Sequence, residues 1–355
     1  MPDDALRVGI AGFGFMGRMH YRCWKTLDGV RVTAVCDADP DALADAGTSR
    51  GNIAGAEGDV DLAGVQVYGD FEQMIAEEPL DAVSITVPTY LHAPSTIAAL
   101  DAGLHVLCEK PMALSLADGT RMIKAAERSG KVLQIGHCIR FWPEYAKAKE
   151  IIDSGEHGRV IAATFERLAA TAARGPQSWF SDEKLSGGVA LDLHIHDTDF
   201  VQYLFGVPRA VCSGGVPGPG GGLAHIATRY CYDDKLVTAE GGWAMMPGFG
   251  FEMRFHVAME RATITYDFLR KPALRLIPAE GDPIEPPCEE GDGYARQIAH
   301  FARRVRGQEV PPVTTLQESW DSLRIVEAER ESVRTGKKVC LSEMQPPQSH
   351  QGAPS

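Results

Sequence analysis

The sequence predicts an α/β N-terminal Rossmann domain with a doubly wound parallel sheet. An α+β C-terminal domain with a mainly antiparallel open sheet is expected to follow. Three observations lead there. A GxGxxG turn at Gly12, Gly14 and Gly17 follows an apolar strand-like run and opens a helical pattern. Short apolar runs then alternate with helical segments to about residue 138. Beyond that, strand-like segments follow one another across acidic or glycine turns, which predicts antiparallel pairing. A chain of 355 residues holds two domains at roughly 100–200 residues each. We place a dinucleotide-binding domain at 5–138, a substrate-binding and oligomerisation domain at 139–342, and a disordered tail at 343–355.

Leu6 to Ala11 is the first strand. Each glycine after it has a physical task. Gly12 permits the tight turn, Gly14 lets a pyrophosphate approach the backbone, and Gly17 lets the helix pack on the strand. Phe15 and Met16, within this turn, are expected beside the cofactor. The helix N-terminus offers free N–H groups and a positive dipole to the phosphates. Met16, His20 and Trp24 continue it at i, i+4 and i+8. "VRVTAVCD" is a second strand ending at Asp37, twenty residues after Gly17. A carboxylate there accepts from a ribose 2′-hydroxyl and repels a 2′-phosphate, which favours NAD over NADP. Ala38 follows it, so the cations left to approach a 2′-phosphate are Arg18 and Arg50.

"VQVYGD" reads as the third strand and "FEQMIAEE" as a helix. "DAVSITVP" is a continuous apolar run, as in a parallel strand buried on both faces. "APSTIAALDAG" is a helix ending at Gly103, "LHVLCEKP" a strand, "LADGTRMIKAAERSG" a helix, and "KVLQIGH" the closing strand. Residues 47–64 form a glycine-rich insertion expected near the adenine side.

After Gly136 the pattern changes. "PEYAKAKEIIDSG" reads as a helix, "RVIAATFERLAA" as a strand, and "GGVALDLHIHDTDFVQYLFG" as a helix bounded by glycines. Ala210 to Ile277 reads as an antiparallel sheet, followed by helices in "YARQIAHFARRVRG" and "LQESWDSLRIVEAERESVRTG".

The stretch "DLHIHD", Asp192 to Asp197, has three readings: a metal cage, an acid–base pair, or a polar helix. At about 100° per helical residue, Asp192 and His196 share a face, whereas His194 points elsewhere. The two histidines therefore converge on one ion only if the segment is a strand, and no metal is expected. An imidazole suits reversible proton transfer, and a neighbouring carboxylate can orient it. Lys110, at the end of strand "HVLCE", lies where doubly wound sheets place ligand groups.

A formal net charge of −13 argues against a nucleic-acid partner. No apolar run reaches the ~18 residues that span a bilayer. The start "MPDDALRVGIAG" lacks the basic start and long apolar stretch of a secretory signal. Eight scattered cysteines without a CxxC fit a reducing compartment, so a cytoplasmic location is expected.

"GFGFMG", "VPTYLH", "CEKPMAL", "RFWPEY" and "GGVALDLHIH" together resemble the Gfo/Idh/MocA oxidoreductases, over about Leu6 to Val339. The resemblance implies hydride transfer between a nicotinamide and a secondary alcohol or ketone of a sugar, sugar derivative or cyclitol. In the motif Glu109-Lys110-Pro111 it implies that Lys110 is catalytic, reaching the reactive hydroxyl and the nicotinamide region, that Glu109 lies on the cofactor side, and that a cis peptide precedes Pro111. Asp192 and His196 match its D-x-x-x-H pair, and Thr86, Pro88 and His92 fall beside the cofactor. Arg140, Trp142, Trp179 and Tyr294 are candidates to line the sugar site. Ile139 stands where some inositol dehydrogenases carry arginine, which weakens a specific myo-inositol assignment. A homodimer or homotetramer is implied. The rival readings are a glycosidase that uses NAD transiently, and a non-catalytic NAD(P)-binding regulator.

Overall fold

A computed structural model describes residues 5–44, 60–170, 179–218 and 222–344. Arg50 and most of the 47–64 insertion lie outside the described residues, as does all but the start of the 343–355 tail.

The first part of the chain alternates strictly. Its elements are β1 (Leu6–Ala11), α1 (Phe15–Lys25), β2 (Val30–Cys36), α2 (Pro40–Ala44), β3 (Gln66–Tyr68), α3 (Phe71–Glu77), β4 (Ala82–Ile85), α4 (His92–Asp101), β5 (His105–Glu109), α5 (Leu116–Ser129) and β6 (Leu133–Gly136). The strands form one parallel sheet in the order β3-β2-β1-β4-β5-β6. Strand order reverses between β1 and β4, and a crevice opens there at the carboxyl ends of the strands. β4 is buried on both faces, as its unbroken apolar run requires. Asp70 and Ser115 cap α3 and α5 through backbone N–H groups.

The remainder begins with α6 (Pro143–Asp153), β7 (Val160–Ala170) and the short α7 (Glu183–Ser186). A π-helical turn, Ala190–His194, then runs into α8 (Ile195–Phe205). Six strands follow: β8 (Ala210–Pro217), β9 (Leu223–Cys231), β10 (Leu236–Met245), β11 (Phe251–Met259), β12 (Ala262–Asp267) and β13 (Leu274–Pro278). The chain closes with α9 (Gly293–Val305), α10 (Leu316–Thr335) and β14 (Val339–Cys340). The second sheet has the order β13-β12-β11-β7-β10-β9-β8-β14. It is antiparallel apart from the β7–β10 pair.

Helix α8 covers the inner face of this sheet. Tyr145, Phe200, Phe255 and Tyr266 pack there with ring centroids 4.8–5.2 Å apart between Tyr145 and each of the other three and between Phe255 and Tyr266. The last two helices return to the first sheet. Trp24 of α1 meets Phe301 of α9 edge to face, and the Trp320 indole of α10 donates to the Leu116 carbonyl at 3.1 Å. One hydrophobic cluster therefore includes residues from both sheets. The outer face of the second sheet carries Thr164, Glu166, Thr238, Glu240 and Arg254, with Leu236 and His256 exposed.

Candidate active site

A cavity of about 840 Å³ runs from the glycine turn to the inner face of the second sheet. Its first half is set by the glycines. Gly12 has φ +84°, and a Cβ there would meet the Thr86 and Val87 backbone at 2.6 Å. A Cβ on Gly17 would lie 2.0 Å from the Gly12 carbonyl oxygen, so α1 packs against the turn only with glycine there. Nothing lies within 4 Å of a Cβ built on Gly14, whose backbone opens onto the cavity with Phe15 and Met16. Thr86 braces the turn, donating to Ala11 and Gly12 carbonyls at 2.9 and 2.6 Å. At the far end of this half, Asp37 accepts from the backbone N–H of Phe13 at 2.6 Å and of Asp39 at 2.9 Å. Asp39, Asp70 and Glu72 line the same end. Arg18 turns away, buried and donating to the Phe13 and Ala42 carbonyls. An open glycine backbone, a helix N-terminus and an acidic end fit a dinucleotide, its phosphates at the first two and its adenosine ribose at Asp37.

The second half gathers polar side chains from separate elements. Lys110 leaves β5 through a cis peptide to Pro111. Its ammonium donates to the Asp192 backbone oxygen at 2.6 Å and to the Asp192 carboxylate at 3.2 Å. Glu109 lies behind it, buried, bonded to His20 at 3.0 Å and accepting from the Lys110 N–H at 3.2 Å. Burial pushes the Glu109 carboxyl up, but the His20 hydrogen bond and the charges of His20, Lys110 and His92 outweigh it. Glu109 is thereby held below the usual range, as a carboxylate. His92 bridges two loops at the cavity wall, with Nδ1 2.7 Å from the Pro111 oxygen and Nε2 3.0 Å from the Val87 oxygen. Both ring nitrogens are occupied, so His92 braces this wall; Pro88 lines it alongside.

His196 also lines the cavity. Burial first, then the charges of Lys110, Arg167 and His137, holds its imidazole well below the ordinary value. It is neutral at neutral pH and free to accept a proton. The expectation that Asp192 orients His196 is corrected. Asp192 is bonded to Lys110, and the buried His196 Nδ1 has no hydrogen-bond partner among the described residues. The local reason is the π-helical turn at 190–194, which widens the helix just where a regular α-helix would stack the pair.

A second correction concerns Arg140. It does not line the cavity. Its guanidinium is buried, with Nε and Nη2 each 2.8 Å from the Asp199 carboxylate, Nη1 3.1 Å from Glu318, and Tyr203 against its face. Trp142, Trp179 and Tyr294 do line the cavity, Trp142 edge-on to Tyr294. His194 leaves the cavity, as the helical reading requires. It is fully buried, 3.5 Å from Glu329 and 3.5 Å from the Tyr230 hydroxyl.

Sequence reasoning missed Arg167, Phe180, Phe251 and Met253, all cavity-lining. A signal for Arg167 was available. Ala163, Phe165, Arg167 and Ala169 alternate along β7 on its buried side, and an arginine in such a series faces the core. The aromatic and methionine positions carried no signal that separates cavity from core.

The parallel sheet, its glycine turn and the acidic end of β2 define a dinucleotide-binding protein whose second sheet closes a cavity over the cofactor crevice. Two family models agree: "oxidoreductase family, NAD-binding Rossmann fold" over residues 6–137, and the GFO/IDH/MocA C-terminal domain over 145–265. The chain belongs to the GFO/IDH/MocA family. It is 30% identical over 229 residues to 2,7-anhydro-N-acetylneuraminate hydratase of Mediterraneibacter gnavus, a match spanning 64% of this chain and 56% of that protein. It is 26% identical to myo-inositol 2-dehydrogenase of Thermotoga maritima over 96% of this chain and 99% of that one. Levoglucosan dehydrogenase, solved with NADH and levoglucosan, has the same fold, with a TM-score of 0.79 at 22% identity over 95% of this chain and 99% of that one.

Proposed function

We propose that this protein is an NAD-dependent oxidoreductase that interconverts a secondary alcohol and a ketone on a sugar, sugar derivative or cyclitol. The observation that carries it is the meeting of Lys110, Asp192 and His196 in the cavity that begins at the glycine turn. Bound NAD supplies the hydride acceptor. The Lys110 ammonium, held by Asp192, donates to the reacting hydroxyl and steadies the oxygen as it becomes negative. The neutral His196 takes the hydroxyl proton. Trp142, Trp179 and Tyr294 give flat walls suited to the C–H faces of a ring polyol.

The hydratase relative favours a second reading, since hydration changes no net oxidation level. In it the same residues serve transient oxidation, with the cofactor returned to its starting state. One screen separates the two. Polyols and aldoses are offered with NAD, and both NADH and products are followed. Net NADH formation supports the dehydrogenase; product without net NADH supports the second reading; neither, across the whole panel, overturns both. We place the protein in the cytosol. All eight cysteines are free thiols, and no helix among the described residues is long and apolar enough to cross a membrane.

A further inference from the structure

Arg167 stands in the cavity wall, in the middle of β7 and 2% exposed. Its Nε and Nη2 grip the Asp197 carboxylate at 2.9 and 3.1 Å. Nη1 rests 3.1 Å from the Met253 sulfur, and Nη2 is 3.5 Å from the Tyr145 hydroxyl. The Nε–Nη2 edge of the fork is therefore held by Asp197, and Nη1 rests on Met253. Asp197 is fully buried and is the residue that follows His196 on α8. The clamp thus ties the helix turn bearing His196 to the second sheet.

We propose that Arg167 is a positioning residue for His196: through Asp197 it fixes the imidazole at the cavity wall and places a guanidinium charge beside it. The inference rests on the reading of His196 as the base. Asp192 is taken up by Lys110, so no carboxylate of the D-x-x-x-H pair remains to orient the ring. The groups facing His196 come from four elements. Lys110 and, behind it, Glu109 come from the end of β5, His137 from the loop after β6, Arg167 from β7, and Tyr294 from α9. Its own segment adds Asp192, neutralised by Lys110, and Asp197, neutralised by Arg167. The nearby cations Lys110 and Arg167 both oppose protonation of the ring. Arg167 is the cation whose place is set by the residue next to the base.

Single removal of Arg167 would leave Asp197 buried without its partner and endanger folding. The test therefore takes R167Q, its fold checked by circular dichroism, together with R167Q/D197N, R167K and H196A, each with NAD saturating and the oxidation rate followed against pH. In R167Q, which loses one charge, the acidic limb of kcat/KM is expected to move upward by about 1 pH unit, the scale of one lost neighbouring charge. In R167Q/D197N, which loses one charge of each sign, the limb is expected to move less while kcat falls with the lost clamp. R167K keeps the charge and is expected to keep the limb near its wild-type place, with a lower kcat. A limb unmoved in folded R167Q, while H196A is inactive, overturns the proposal and leaves the base reading standing. A limb displaced equally in R167K overturns it too, since charge would then not be the device. Full activity in H196A removes the base itself. Independently of any variant, NMR titration of His196 in the wild-type protein is expected to show no protonation near pH 6.5; ordinary imidazole titration there overturns the proposal.

Discussion

His194 and His196 are two residues apart, and the fold gives them opposite surroundings. His196 faces the cavity without a carboxylate partner among the described residues, whereas His194 is sealed against Glu329. His196→Ala is expected to lower kcat by ~10²–10⁴-fold, the span of a positioned acid–base group. The NAD dissociation constant should barely change, because the glycine turn and Asp37, the groups proposed to hold the phosphates and the adenosine ribose, are far from His196 in the chain and do not contact it. Stopped-flow turnover and calorimetric NAD titration check the two halves separately. For His194 the prediction is one of stability. His194→Ala leaves the buried Glu329 side chain with the Thr198 and Tyr230 hydroxyls but without its His194 partner, at a cost of about 3–5 kcal/mol. Burial pushes His194 down, but the charge and hydrogen bond of Glu329 outweigh it and hold the imidazole above its usual value. A folded value above the unfolded one, near ~6.5, means the contribution is whole below that pH. It is lost as pH rises through the folded value. The melting-temperature gap between wild type and His194→Ala should therefore narrow from pH 6 toward alkaline pH. A gap that widens would contradict the pairing.

Among the elements, the glycine turn allows a sharp contrast. Gly17→Ala drives a Cβ to within 2.0 Å of the Gly12 carbonyl, which is backbone and cannot step aside. It should destabilise the protein by ~1–3 kcal/mol and weaken NAD binding together. Gly14→Ala meets nothing within 4 Å. Its stability should change by less than ~0.5 kcal/mol, since no protein atom is touched. NAD affinity should still fall about 10-fold, or ~1.4 kcal/mol, because the methyl occupies the phosphate approach. Thermal melts with and without NAD separate the two. Equal loss of stability in both variants would mean that the turn is not shaped for a ligand.

At the scale of the whole molecule, charge distribution decides cofactor choice. Asp37, Asp39, Asp70 and Glu72 line one end of the cavity, and Arg18 is committed elsewhere. NAD should bind at least ~10-fold more tightly than NADP, and Asp37→Ala should narrow that ratio. Equal affinities for the wild type in direct titrations would oppose this. The outer face of the second sheet is the other large-scale feature. It carries threonines and the Arg254–Glu166 and His225–Glu240 pairs, and its Leu236 and His256 side chains are exposed. A sheet face left open needs cover, and we propose a second copy of the chain on it, giving a homodimer or homotetramer. Light scattering at micromolar concentration is expected to show the oligomer; a monomer would end the idea.

The parallel sheet was legible because its signals are local. Glycine spacing, continuous apolar strands and glycine-ended helices each follow from steric rules acting within a few residues. The catalytic candidates Lys110, Asp192 and His196 were legible in the same way, as strand end and helix face. Tertiary structure decided the rest. Arg140 and Arg167 are both arginines in apolar surroundings, and only the partners brought by α8 and α10 separate them. Asp199 and Glu318 lock Arg140 away, while Asp197 holds Arg167 in the cavity wall. The partner of Asp192 was likewise set from a distance of 82 residues, by Lys110 and not by the histidine one turn on. A regular helix would have joined Asp192 to His196, but the π-helical turn and an ammonium within reach gave the carboxylate a stronger partner. Local sequence sets which faces an element presents; what meets those faces depends on contacts between segments far apart in the chain.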